Sequence, residues 1–143
     1  RGTLGELSAD ELATLADRYR LPRPRLDLDV TKATACADVS DGLVADASHI
    51  AAASNLGCEI DLERLPLSAA AAAWLQLQAN GAAALAQLAS GGDDYELVAT
   101  APEPLTGFTV IGRMTAAAAG VIVTWDGEPV TLQQSGWRHG NDG

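Results

Sequence analysis

Two carboxylates, Asp38 and Asp41, flank Ser40 in the run Asp38-Val39-Ser40-Asp41-Gly42. Paired acids at one turn gather a hard divalent cation through oxygen. The run sits between an expected strand and an expected helix. A helix starting near Asp41 offers free backbone N–H groups and the positive end of its dipole, which can hold an anion such as phosphate. Together these features describe a site for a metal-bound phosphate. The same residues also fit a plainer reading, in which Ser40 or Asp41 caps the helix and Asp38 is a solvated turn residue. Spacing alone leaves both open. A second acidic turn, Gly91-Gly92-Asp93-Asp94, precedes another expected strand. Its glycines allow positive φ or close approach of a ligand to the backbone, or simply a tight turn with hydrated acids. His49 has no Cys or Glu at ligand spacing and reads as a partly buried hydrogen-bonder rather than a metal ligand. Trp137 lies in a polar, Gly-flanked tail, where its ring either packs back on the domain or stacks on a flat ligand. No Walker A pattern, G-x-S-x-G or dinucleotide fingerprint occurs.

The elements that must position these residues follow from periodicity and punctuation. Ser8 and Glu11 form an expected capping box, and Leu12, Leu15, Ala16 and Tyr19 recur on one helical face. Pro22 and Pro24 stop that helix and stiffen an Arg-bearing linker. Residues 33–39 read as a short buried strand. Leu43, Ala47, Ile50 and Ala51 then share a helical face, with Asp46, Ser48 and His49 off it or at its edge, and Asn55 and Gly57 at the helix end. Residues 58–62 alternate with period two as a half-buried strand. Ala-rich helices are expected over 69–78 and 82–88, separated at Asn80-Gly81, with Pro66 and Ser68 opening the first. Residues 95–100 and 108–111 read as strands. Asp126-Gly127 predicts a hairpin between 120–125 and 130–132, with Pro129 where no ladder donor is needed. Trp74 and Trp125 suit core or sheet faces. Helices interleave with strands early and strands crowd the end, which predicts an α+β or mixed α/β layer, a mixed sheet covered by helices.

The 143 residues suit one domain, with residues 1–26 as a leading helix and linker and 27–143 as the α/β body. Apolar residues make up 48% but aromatics only 4%, so the core is built from small side chains in close backbone contact. Lys and Arg number 9 against 19 acids, a net charge of −10. That excludes a basic stripe for nucleic acid and a polybasic membrane anchor. No apolar stretch approaches the ~20 residues that span a bilayer. Cys36 and Cys58 stand alone, without a zinc or disulfide framework, and a reducing cytoplasm is expected. The chain begins with Arg1 rather than Met and is expected to be a piece of something longer. A −10 protein can bind polyphosphate if Mg²⁺ lies between the two sets of negative charge.

Taken in order, Asp38-Val39-Ser40-Asp41-Gly42-Leu43, Asp46, His49-Ile50, Leu65-Pro66-Leu67, Gly91-Gly92-Asp93-Asp94-Tyr95-Glu96-Leu97 and Gly136-Trp137-x-His139 resemble the C-terminal domain of thiamine-monophosphate kinase. The resemblance runs from about Pro24 to His139. That family is similar to aminoimidazole ribonucleotide synthetase, selenophosphate synthetase and a hydrogenase maturation factor. It implies a two-domain protein whose N-terminal domain, expected to be absent from this chain, supplies the dimer interface of a homodimer and most metal ligands. It implies that Asp38 and Asp41 ligate Mg²⁺, that Ser40 contacts ATP, that Asp93 contacts thiamine monophosphate and that Trp137 packs on its rings. Asp94 and Glu96 carry no assigned role. Asp93 stands where the family more usually has Glu, and Gly140 replaces an aromatic after the His; both departures weaken the carry-over. The implied reaction is phosphoryl transfer from ATP to the phosphate of thiamine monophosphate, giving thiamine diphosphate, with the isolated chain inactive. The rival expectations are another ATP-dependent synthetase or maturation factor of the same fold, or a non-catalytic binding module.

Overall fold

A computed structural model describes residues 6–21, 23–92, 94–116 and 120–132. Helix α1, Ala9–Arg20, starts at the expected capping box: the Ser8 side chain accepts from the Glu11 amide, and the Glu11 carboxylate accepts from the Ser8 amide at 2.8 Å. Strand β1 is Ala35–Asp38 and helix α2 Leu43–Ala53. Asn55, at φ +52°, turns the chain out of α2. Gly57, expected at the helix end, instead opens strand β2, Gly57–Asp61. A single 3-10 turn, Leu62–Arg64, follows. Helices α3, Ala69–Gln76, and α4, Gly81–Ala89, are capped by Ser68 and Asn80, whose side chains accept from Ala71 and Ala83 amides. Strands β3, Leu97–Thr100, β4, Gly112–Thr115, β5, Val121–Trp125, and β6, Glu128–Pro129, complete the described chain.

The architecture is the expected mixed α+β layer, with its strands divided between two sheets. β1 and β3 form an antiparallel pair; β4, β2, β5 and β6 form a four-stranded sheet in that order, with β2 and β5 parallel. Helix α2 packs against strands of both sheets. Its Val44, Ala47 and Ala51 join Cys58, Ile60, Leu62, Leu85, Ala86, Ala89 and Val123 in one core. Seven of these ten are Val or Ala or Cys, so helix and strand backbones sit close, as the composition predicts.

Three expectations are corrected. Tyr19, expected on the apolar face of α1, is 85% exposed, and α1 buries no residue. The expected strand over 108–111 lies four residues further on, at β4, because the favourable pairing there includes Arg113 opposite Glu59, with guanidinium and carboxylate 2.8 Å apart. The returning hairpin strand is 128–129 rather than 130–132, although Val130 still donates to the Val123 carbonyl at 2.8 Å. The turn itself is as read: Asp126 and Gly127 both have positive φ, and Pro129 sits on the edge strand β6.

Candidate functional site

β1 ends at Asp38, whose side chain is exposed. Beyond it the strand pairing continues: Val39 donates to the Glu96 carbonyl at 2.8 Å and Tyr95 donates to the Val39 carbonyl at 3.0 Å. Val39 is only 3% exposed and anchors the turn from below. The chain then rises through Ser40 and Asp41, both half-buried, to Gly42, the N-cap of α2. No side chain caps that helix. The plainer reading, with Ser40 or Asp41 as the capping side chain, is therefore overturned. The turn is held instead by Asp46, whose Oδ2 accepts from the Ser40 amide at 3.0 Å and the Asp41 amide at 3.1 Å. Asp46 was expected off the apolar face or at its edge; it is buried, because its carboxylate satisfies two backbone donors there. Among the described residues, no hydrogen bond or ion pair engages the side chains of Asp38, Ser40 or Asp41. Their oxygens are left available on an organised turn.

The second turn meets the first backbone to backbone. Gly42, at φ +114°, lies so close to the end of α4 that a Cβ there would stand 2.8 Å from the carbonyl oxygens of both Ser90 and Gly91. A Cβ on Gly92 would run into the Ser40 carbonyl oxygen. Only glycine permits this approach, and it joins the two acidic turns that are 50 residues apart in sequence into one surface. Asp93 and Trp137, the other two expected site residues, lie outside the described residues. Tyr95 closes the second turn at φ +52° with its side chain partly exposed, an uncommon backbone state for a bulky residue.

Glu96, without an assigned role from sequence, binds Arg18 of α1 at 2.7 Å and Arg25 of the linker at 3.3 Å. Arg25 also grips Asp27 through two bonds of 3.0 and 3.1 Å. That Asp27 contact, then Glu96, pushes the Arg25 guanidinium up, and Arg25 in turn holds the Asp27 carboxyl low. Arg18 and the Arg25–Asp27 segment are thereby tied beside the second turn. His49 is corrected: its side chain is 70% exposed rather than partly buried, with Nδ1 4.0 Å from Asp46 Oδ1, because its position on α2 faces solvent.

Among the described residues, no group of three His, Cys, Asp or Glu side chains could hold a metal. Asp38 and Asp41 nevertheless present hard oxygen donors that no described residue uses, so they fit two ligands of a cation whose remaining ligands are phosphate oxygens, water or other protein groups. A cavity of about 290 Å³ lies between the two sheets, lined mainly by apolar residues such as Leu43, Ile50, Val98, Phe108 and Ile111. Neither acidic turn lines it, so the polar chemistry lies outside that cavity. Among the described residues, no helix is long and apolar enough to cross a membrane.

A mixed α+β layer with two glycine-built acidic turns joined at a helix start defines a class of domain. The chain belongs to the family described as AIR synthase related protein, C-terminal domain, which matches residues 6–124. Its relatives include the thiamine-monophosphate kinase of Caulobacter vibrioides, 47% identical over 141 residues, covering 86% of this chain and 39% of that protein. The thiamine-monophosphate kinase of Escherichia coli K12 is 40% identical over 144 residues, covering 87% and 42%. The solved chain described as AaThiL complexed with AMPPCP and TMP matches with a TM-score of 0.74 at 34% identity, over 94% of this chain and 43% of that one. Thiamine-monophosphate kinase from Stenotrophomonas maltophilia K279a matches with a TM-score of 0.67 at 34% identity, over 87% and 42%. The expected resemblance to thiamine-monophosphate kinase is thus matched by relatives of that name. The chain spans about two fifths of the length of the curated relatives it matches.

Proposed function

We propose that this chain is the C-terminal part of a kinase that transfers the γ-phosphoryl group of Mg-ATP to the phosphate of thiamine monophosphate, forming thiamine diphosphate. The observation that carries the reading is the backbone junction of the two acidic turns, at Gly42 and Gly92. It sets Asp38, Ser40 and Asp41 beside the turn that leads into Asp93. The relative solved with AMPPCP and TMP supports the choice of nucleotide and acceptor.

Both reactants are anions, and the protein carries a net charge of −10, so their approach needs counter-charge. Asp38 and Asp41 would hold Mg²⁺ through carboxylate oxygen. Bound there, magnesium supplies neutralisation of phosphate charge. Ser40 contacts the nucleotide at the start of α2, where the helix dipole favours phosphate. Asp93 and Trp137 contact the thiamine phosphate and its rings. Catalysis is then in-line positioning and electrostatic stabilisation, with no protein nucleophile required. The remaining metal ligands and the dimer contacts of a cytoplasmic homodimer belong, on this reading, to an N-terminal domain outside residues 1–143.

The test is the full-length protein incubated with Mg-ATP and thiamine monophosphate, with product separated by chromatography. Thiamine diphosphate is expected. Consumption of ATP with a different phosphorylated acceptor, and none with thiamine monophosphate, overturns the substrate assignment.

A further inference from the structure

Among the described residues Asp46 is the only buried charged side chain, at 5% exposure. Its place is unusual for an acid in the first turn of a helix. Rather than facing solvent near the dipole, it reaches back over Gly42 into the preceding turn. Its Oδ2 there accepts from two successive amides, Ser40 at 3.0 Å and Asp41 at 3.1 Å. Gly42 has no side chain with which to organise this segment, and no other side chain caps α2. The two amides belong to the residues whose hydroxyl and carboxylate have no partner among the described residues. Fixing the plane of each peptide fixes the direction in which the Ser40 and Asp41 side chains leave the backbone. On the other side, Asp46 Oδ1 is 4.0 Å from the exposed His49 ring, which leaves the hold on the turn to Oδ2.

We propose that Asp46 is a positioning residue for the phosphate-binding turn, acting through the backbone amides of Ser40 and Asp41 and never on the ligand itself. The inference rests on the proposed reading of that turn as the Mg-nucleotide site. One carbonyl-type oxygen suffices, because a single oxygen accepts from both donors. Asparagine can therefore replace Asp46, whereas alanine leaves two amides without an acceptor.

The experiment uses the full-length protein and measures, by calorimetry, the affinity for AMPPCP with magnesium in wild type, Asp46→Ala and Asp46→Asn, alongside Tm. Loss of a group that orients metal or phosphate ligands typically costs about 10–100-fold. Asp46→Ala is expected to bind at least ~10-fold more weakly, and Asp46→Asn to stay within about threefold of wild type. A lower Tm with unchanged affinity in Asp46→Ala overturns the proposal, since it shows a structural role alone. Equal weakening in both variants also overturns it, since it shows that charge rather than acceptor geometry matters. If Asp46→Ala does not fold, Asp46→Glu displaces the acceptor by one methylene and carries the same expected weakening, with wild-type affinity again contradicting the claim. Wild-type protein that binds Mg-AMPPCP but does not phosphorylate thiamine monophosphate overturns the substrate reading and leaves the Asp46 result standing on its own.

Discussion

At the scale of single residues, Gly42 is constrained twice, by its backbone conformation and by the space around it. Its φ of +114° excludes an unstrained side chain, and the Ser90 and Gly91 carbonyls occupy the space a Cβ needs. Gly42→Ala is expected to cost about 2–4 kcal/mol, from backbone strain of about 1–3 kcal/mol and the displacement of α4's end. A fall in Tm of roughly 10 °C checks this. Gly92→Ala is expected to act in the same direction, because the Ser40 carbonyl blocks it. The glycines were legible as turn-formers, but not as partners of each other: nothing local in a sequence reports contact across 50 positions. Asp46 was misplaced for a different reason. Helical periodicity counts any carboxylate as polar and sends it outward, whereas here two unpaired amides draw it inward. The signal that could have found it is the glycine at the N-cap, followed by an acid in the first helical turn, with no capping side chain between.

At the scale of elements, α1 is held differently from the rest. It buries no residue, and its ties to the body include Arg18 and the linker's Arg25 on Glu96. Such half-exposed pairs contribute about 0–1 kcal/mol each, so Glu96→Gln is expected to leave Tm nearly unchanged. It frees the chain around Arg18 and Arg25 locally, and cleavage by trypsin at Arg18, Arg20 and Arg25 is expected to accelerate several-fold over wild type, Arg23 being protected by the proline that follows it. Helix α1 also packs against α3, and unaltered digestion would show that this packing is enough to dock it. The contrast is β2, where Ile60 is 2% exposed at the centre of the core. Ile60→Ala is expected to cost about 2–5 kcal/mol, read by denaturant midpoint at constant slope. Capping residues made α1 and α3 readable, the Asn80-Gly81 break marked the start of α4, and Asp126-Gly127 marked the turn of the last hairpin, since each acts within a few residues. Strand β4 was not readable: Arg113 breaks an apolar pattern, and only the facing Glu59 explains why a strand tolerates it.

At the scale of the whole molecule, the net charge of −10 gives the proposed Mg-nucleotide reading its need for counter-charge, and among the described residues nothing pairs with the carboxylates of Asp38 and Asp41. The described residues offer no three-acid metal group, and the chain spans about two fifths of its relatives. The 143-residue chain alone is therefore expected to show no thiamine-monophosphate kinase turnover; measurable turnover would place all necessary ligands within it. The central claim is that Asp38 and Asp41 bring magnesium to the nucleotide. Its most direct measurement is the magnesium dependence of thiamine diphosphate formation by full-length wild type, Asp38→Asn and Asp41→Asn at matched Tm. The account predicts that each variant loses turnover by about 100-fold or needs at least ~10-fold more magnesium to reach half its rate. Wild-type turnover at wild-type magnesium in both variants would contradict it.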